Sequence, residues 1–379
     1  MTEVLVSSLP MLVCSILSVL IALSLYDSWN MARSRLLVFM VTATILYTAH
    51  YVYFNRLTTV IPLTDSFYSF CNPAVFPLFY IYIEELTAHR HDRWLQGLFL
   101  LPSVLCFLAV GTLYLLMSDE ETTLFIHQYL YGGEYESLSG LVWWQAIAHG
   151  MMRFVFALQM PFVLFFGFQQ ITAYNKLVES NYSNIEGKVI RRMKTLLALL
   201  AAASIVGFII NLIGRQRFTD GVQLLIIPSL LFSILLLLIG HVGLSQQFSV
   251  QDIEEEAFVE PEPIKEDTGH SELLERIRKL VCEEQLFLYP NLKVSDLAKR
   301  LNSNRNYIYH AINVEMGVSF SDYINSQRVD YASRLIEEHP ELPISDVVIR
   351  SGFTSSSSFY RNFKKFKGFT PTNQKPHRV

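Results

Sequence analysis

Through the first part of the chain, apolar positions come in long runs. Seven runs approach or exceed the ~20 residues with which a helix, rising 1.5 Å per residue, crosses a bilayer core. They are Leu5–Tyr26, Leu36–Phe54, Val60–Ile83, Leu95–Met117, Gly150–Ile171, Leu196–Ile213 and Val222–Val242. In hydrocarbon every backbone polar group must be satisfied within its own segment, so each run predicts a helix, with kinks tolerated at Pro73, Pro77 and Pro161. From Gln251 on the pattern changes. Charges become frequent, and short apolar groups at i, i+3 and i+4 predict amphipathic helices. The expected fold class is all-α, with a seven-helix transmembrane bundle over residues 1–245, an acidic flexible linker over 246–270 and a helical domain over 271–379.

Charge sharpens this division. The formal net charge of −4 over 379 residues resolves into −1 before residue 251, −7 over 251–270 and +4 from 271 onward. The linker contains Glu254–Glu256, Pro261, Pro263 and Gly269, a composition that opposes a packed core. Of the two alternating sets of loops between the runs, one holds nine basic residues, among them Arg33, Arg35, Arg90, Arg93 and Lys176, and the other holds three, Arg56, Arg215 and Arg217. The excess of Lys and Arg marks the cytoplasmic side, which places the N-terminus outside and the C-terminal domain inside. A cleaved signal peptide is the alternative for the first run. Its only early charge is Glu3, so it lacks a basic leading region.

Chemistry-bearing clusters are few. Cys14, Cys71, Cys106 and Cys282 have no metal-like spacing, and they predict neither a metal site nor a disulfide framework. No nucleophile elbow, phosphate loop or paired catalytic carboxylates are present, so no enzymatic activity and no cofactor are expected. Glu84, Glu85, His89 and His91 form a titratable cluster at the end of the third run, where charged loops are ordinary. A transporter or membrane enzyme with a regulatory tail is the alternative reading. Within the membrane part, Gln145, His149 and Arg153 recur every four residues and share one helix face. Two readings stand for them: a pocket for an unidentified small-molecule or lipid signal, or an arginine that snorkels to the interface. The acidic, Tyr-rich stretch between Met117 and Leu141 is placed to cap such a pocket.

The tail repeats itself. Val294, Leu297 and Ala298 match Ile344, Val347 and Val348 at an offset of 50, while Ile308, Ile312 and Gly317 match Phe359, Phe363 and Gly368 at an offset of 51. Each copy reads as helix, short polar turn, helix, the arrangement that presents a second helix to the major groove. The copies fall at about 291–316 and 343–367, with a spacer helix over Phe320–His339 and a leading helix over Glu272–Glu284. "LKVSDLAKRLN", "GVSFSDYINSQRVDYASRLI", "ISDVVIRSGF" and "SFYRNFKKFKGFTP" carry a specific likeness. Residues 271–376 resemble the DNA-binding domain of the AraC/XylS family of bacterial transcription regulators. The first reading helix departs from that pattern, with Tyr309-His310 where relatives often carry Ser-Arg.

The resemblance implies sequence-specific binding of double-stranded promoter DNA, with RNA polymerase as a further partner; the apolar runs and loop charges, taken with it, give the bacterial inner membrane as the expected location. In the first copy Ile308, Ala311 and Ile312 are expected to face inward, leaving Asn304, Arg305, Asn306, Tyr309 and His310 to the groove. In the second, Phe359, Phe363 and Phe366 face inward and Ser356, Ser357, Tyr360, Arg361, Lys364 and Lys365 face outward. Asn suits adenine and Arg suits guanine in the major groove, while lysines neutralise phosphate. The resulting expectation is a one-component regulator, homodimeric through its membrane half, that senses a signal there and binds DNA in the cytoplasm.

Overall fold

A computed structural model describes residues 2–88, 93–186, 188, 191–213, 222–246 and 270–374. The chain forms two compact units, one of Met1–Thr172 with Ile190–Val250 and one of Ala173–Val189 with Gln251–Val379. His89 and His91, Arg215 and Arg217, and nearly all of the 246–270 linker lie outside the described residues.

The first unit contains α1 (Thr2–Asp27), α2 (Met31–Phe54), α3 (Ile61–Thr87), α4 (Arg93–Leu116), short α5 (Asp119–Leu124), α6 (Gly140–Asn181, whose last turns belong to the second unit), α7 (Arg191–Ile213) and α8 (Val222–Ser245). All seven expected segments are therefore helical. Five of the described helices, α1, α2, α4, α6 and α8, are long and apolar enough to cross a membrane. The other two are not among these five. In α7, 23 residues long, the described side chains show an apolar stretch over Lys194–Ile209. In α3 the charged and polar residues break the hydropathy.

Packing explains how α3 tolerates those residues. It lies against α2 and α4, and most of its side chains are buried, including Asp65, Glu84 and Glu85. Each carboxylate has a partner: Asp65 accepts from Tyr114 Oη at 2.8 Å, Glu84 accepts from Gln96 Nε2 at 2.8 Å, and Glu85 pairs with Arg35 at 3.5 Å. A helix covered by protein needs no apolar surface for lipid, but every buried charge needs such a partner.

The second unit is helical as well. It comprises α9 (His270–Arg278), α10 (Val294–Leu301), α11 (Arg305–Tyr309, continued by a wider turn over His310–Glu315), α12 (Phe320–Glu338), α13 (Ile344–Arg350), α14 (Ser356–Lys367) and α15 (Pro371–Gln374). Two apolar cores form, one per copy of the repeat. Ile308 and Ile312 sit in the first, and Phe353, Phe359 and Phe363 in the second. The spacer α12 serves both, giving Phe320 and Ile324 to the first core and Val329, Ala332, Leu335 and Ile336 to the second.

The duplication extends to the backbone. Asn302, which ends α10, has φ 48°, and Gly352, its counterpart 50 positions on, has φ 78°. Gly317 and Gly368, 51 apart, have φ 67° and 83°. The left-handed conformation suits Gly and, less well, Asn. At Gly352 space is also limiting, because a Cβ there would lie 2.7 Å from the Leu288 carbonyl oxygen. Gly352→Ala should therefore destabilise the second unit by about 2–4 kcal/mol, combining backbone strain with a backbone clash. Hydrogen exchange of the α13–α14 amides in the full chain would report this loss, while Gly317→Ala, with open space around it, should cost less.

Candidate nucleic-acid interface

The second reading helix, α14, is delimited by its own residues. Ser355 is the N-cap, its Oγ accepting from Ser358 N at 3.2 Å, and Gly368 closes the helix in the left-handed conformation. Phe359 and Phe363, four apart, are fully buried with ring centroids 5.5 Å apart. Two exposed stripes result, Ser356–Tyr360–Lys364 and Ser357–Arg361–Lys365. All six residues expected to face outward here are exposed, and Phe366 is half-buried.

The cations are not equivalent. Lys365 Nζ lies 2.6 Å from Asp322 and Lys367 Nζ 2.8 Å from Asp330. Such exposed pairs are worth ~0–1 kcal/mol and can be exchanged for phosphate, at a cost. Arg361 and Lys364 have no carboxylate partner among the described residues, so they are the positive charges that α14 presents directly.

The first reading helix differs. Asn304 caps α11, its side chain accepting from Asn306 N at 2.9 Å, and it is exposed, whereas Asn306, Tyr309 and His310 are half-buried. Ile308, Ala311 and Ile312 are inward as expected. Two features differ from the sequence expectation. Arg305 is buried, because its guanidinium donates to Asn181 Oδ1 from the segment 173–189. Tyr307 is 44% exposed and offers an aromatic face that periodicity alone did not single out. His310 Nδ1 lies 3.1 Å from Glu315, which reduces the positive character of this helix further.

In the first unit, Gln145 and His149 are completely buried and Arg153 is half-buried. His149 Nε2 lies 2.7 Å from Asp65 Oδ2 and its Nδ1 2.8 Å from the Gln145 carbonyl. A carbonyl only accepts, so Nδ1 is the donor in that contact, and Nε2 is the ring nitrogen that faces the Asp65 carboxylate. The 118–139 stretch packs over this end, with the Phe125 and Tyr129 rings 5.2 and 5.9 Å from the imidazole. Asp65, which sequence reasoning passed over, thus proves to be the partner of His149. A separate cavity of about 160 Å³ is lined by Phe39, Tyr47, His50, Tyr68, Asn72 and Phe232, among others. Gln145, His149 and Arg153 are not part of its wall.

Comparison with known proteins bears on the tail. Residues 297–375 match the helix-turn-helix domain family. This helix-turn-helix domain spans most of α10 through α15. Over 82 residues the chain is 35% identical to the uncharacterised HTH-type transcriptional regulator YtdP of Bacillus subtilis, covering 22% of this chain and 10% of that protein. It is 33% identical over 82 residues to the Msm operon regulatory protein of Streptococcus mutans, covering 22% and 29% of the two chains. An uncharacterised HTH-type transcriptional regulator of Staphylococcus aureus strain N315 is 28% identical over 92 residues, which is 24% of this chain and 12% of the relative. The chain therefore spans less than a third of the length of these relatives. No solved structure matches it.

The buried polar pair in the first unit makes a prediction of its own. Removing one member of such a pair leaves the other without compensation, at ~3–5 kcal/mol. Asp65→Ala should accordingly lower the thermal midpoint of the detergent-solubilised chain markedly, because both His149 and Tyr114 lose their acceptor. Cys71→Ala, on the same helix and carrying no polar partner, should lower it less.

Proposed function

We propose that the chain is a membrane-tethered, one-component transcription regulator. Its transmembrane half receives a signal, and its helix-turn-helix domain binds promoter DNA in the cytoplasm. The observation that carries this reading is the pairing of two duplicated helix-turn-helix units, the second with Arg361 and Lys364 exposed and uncommitted, on one chain with five apolar helices of spanning length. Transcription regulators among the similar proteins support the DNA-binding part. The excess of basic residues in one set of loops supports a cytoplasmic tail.

The two reading helices are assigned different work. α14 supplies phosphate contacts through Arg361 and Lys364, and backbone N–H groups beside Ser356 and Ser357 approach the duplex at the positive end of the helix. α11 supplies base contacts through Asn304, Asn306 and Tyr309 with little net charge. Dimerisation through the membrane half raises the local concentration of the second domain and offsets this modest charge. The signal is assigned to the membrane half, with the Asp65–His149–Gln145 cluster and the 160 Å³ cavity as its two candidate receivers; Arg153 stays a candidate contact at the rim.

The test uses the full chain in lipid nanodiscs. Fragmented genomic DNA is incubated with it at stated salt, and enriched fragments are then measured against random DNA by anisotropy. Specific fragments should be enriched, and their affinity should fall steeply from ~50 to ~200 mM salt, as counterion release requires. Lys364→Ala should weaken binding to all fragments and reduce the log–log salt slope by ~0.9, whereas Lys367→Ala, already paired with Asp330, should change it less. Equal binding to random DNA, or a salt slope untouched by Lys364→Ala, would contradict the proposal.

A further inference from the structure

Ser183 occupies a socket in the second unit. It lies in the segment that follows α6, and it is 1% exposed. Its N–H donates to the Leu292 carbonyl at 3.0 Å. Its carbonyl accepts from Asn325 Nδ2 at 3.0 Å and from Ser321 Oγ at 3.3 Å. Its hydroxyl accepts from Arg328 Nη2 at 3.2 Å. Every polar group of one loop residue is thus satisfied by the C-terminal domain. The partners are themselves ordered: Arg328, 1% exposed, also donates to the carbonyls of Phe287, Tyr289 and Pro290 at 2.6–3.2 Å.

The neighbours of Ser183 reach the DNA-reading residues. Asn181 takes the guanidinium of Arg305, the first residue of α11. The Ser180 carbonyl accepts from Asn313 at 3.4 Å. Tyr182 is buried, with Lys188 and Lys293 each 5.7 Å from its ring centroid. Burial and then the charge of Lys293 hold the Lys188 ammonium below its usual pKa. Glu186 accepts from Ser355, the N-cap of α14. A carboxylate at the start of a twelve-residue helix takes the place where a DNA phosphate would sit.

We propose that residues 180–186 are an intramolecular ligand of the helix-turn-helix domain, held by the Ser183 socket, and that they must withdraw before both reading helices engage DNA. This inference rests on the DNA-binding reading above and adds how binding is regulated. The bound segment holds Arg305 away from the groove and sets the Glu186 charge against the phosphate backbone. By chain connectivity the segment is the C-terminal extension of α6. At 42 residues, α6 exceeds the ~20 that a bilayer crossing needs. A signal that shifts α6 in the membrane half thereby acts on the seat of Ser183, provided that it binds the released state more tightly.

The experiment uses the full chain in nanodiscs, in a Cys282→Ser background with Glu186→Cys and Ser355→Cys. A short bis-methanethiosulfonate reagent bridges the two thiols and is reversed by reductant. The bridge should form in the absence of DNA, should lower affinity for the enriched genomic fragments by about tenfold or more, and reductant should restore it. Glu186→Gln, which removes only the charge, should raise affinity several-fold and most at low salt. A bridge that leaves affinity unchanged would overturn the inference, and so would failure of the two thiols to be bridged. Absence of specific binding by the reduced, unbridged chain would overturn the DNA-binding reading and the latch with it; it is told apart from failure of the latch alone because there the reduced chain binds normally.

Discussion

The second unit is organised around the burial of one cation. Arg328 sits on the buried side of α12, and its donors are shared among the carbonyls of Phe287, Tyr289 and Pro290, the side chain of Asn325 and the hydroxyl of Ser183. The ring of Phe353, from the turn that precedes α14, lies 5.7 Å from the guanidinium carbon. A buried charge is tolerated only where hydrogen bonds replace its water. Burial lowers the pKa of Arg328 to about 10, still far enough above neutrality that the group stays charged. The consequence is a shared junction. The stretch just ahead of the first copy, Phe353 of the second copy and the segment after α6 meet at one guanidinium, and a planar fork of five donors holds directions that an ammonium would not.

The first unit meets the same constraint with different chemistry. Its buried charges lie chiefly on α3 and are partnered by Tyr114, His149, Gln96 and Arg35. Polar satisfaction lets α3 sit inside the bundle, and it also places the Asp65–His149 pair against the Phe125 and Tyr129 rings. In both units, polar groups inside apolar surroundings mark where one arrangement is specified, and an input that alters those groups can change the arrangement.

Much of this was legible in the sequence because it is periodic. The inward Phe359 and Phe363 and the outward Arg361 and Lys364 follow directly from a 3.6-residue repeat. Gly317 and Gly368, matched between the copies, both take the left-handed conformation. Less visible was Arg328, although the stripe Ile324, Arg328, Ala332, Ile336 places a cation among apolar residues four apart, and that mismatch is a usable signal. Asp65 was obscured by the apolar run around it. The segment 180–186 has neither periodicity nor strong charge, so its place against Arg305 and Ser355 depends on tertiary contacts that local patterning does not encode. The buried state of Arg305 follows from the same cause.

The comparison with known regulators reaches only the tail, so the link between membrane and DNA is the claim that most needs measurement. Formaldehyde cross-linking in intact cells, followed by separation of the inner membrane and sequencing of DNA recovered with the full-length chain, addresses it directly. The account predicts discrete DNA regions in the membrane fraction, lost when Arg361 and Lys364 are both replaced by alanine while the protein stays in the membrane. Recovery of the same regions with the doubly substituted chain, or of none with the native one, would contradict it.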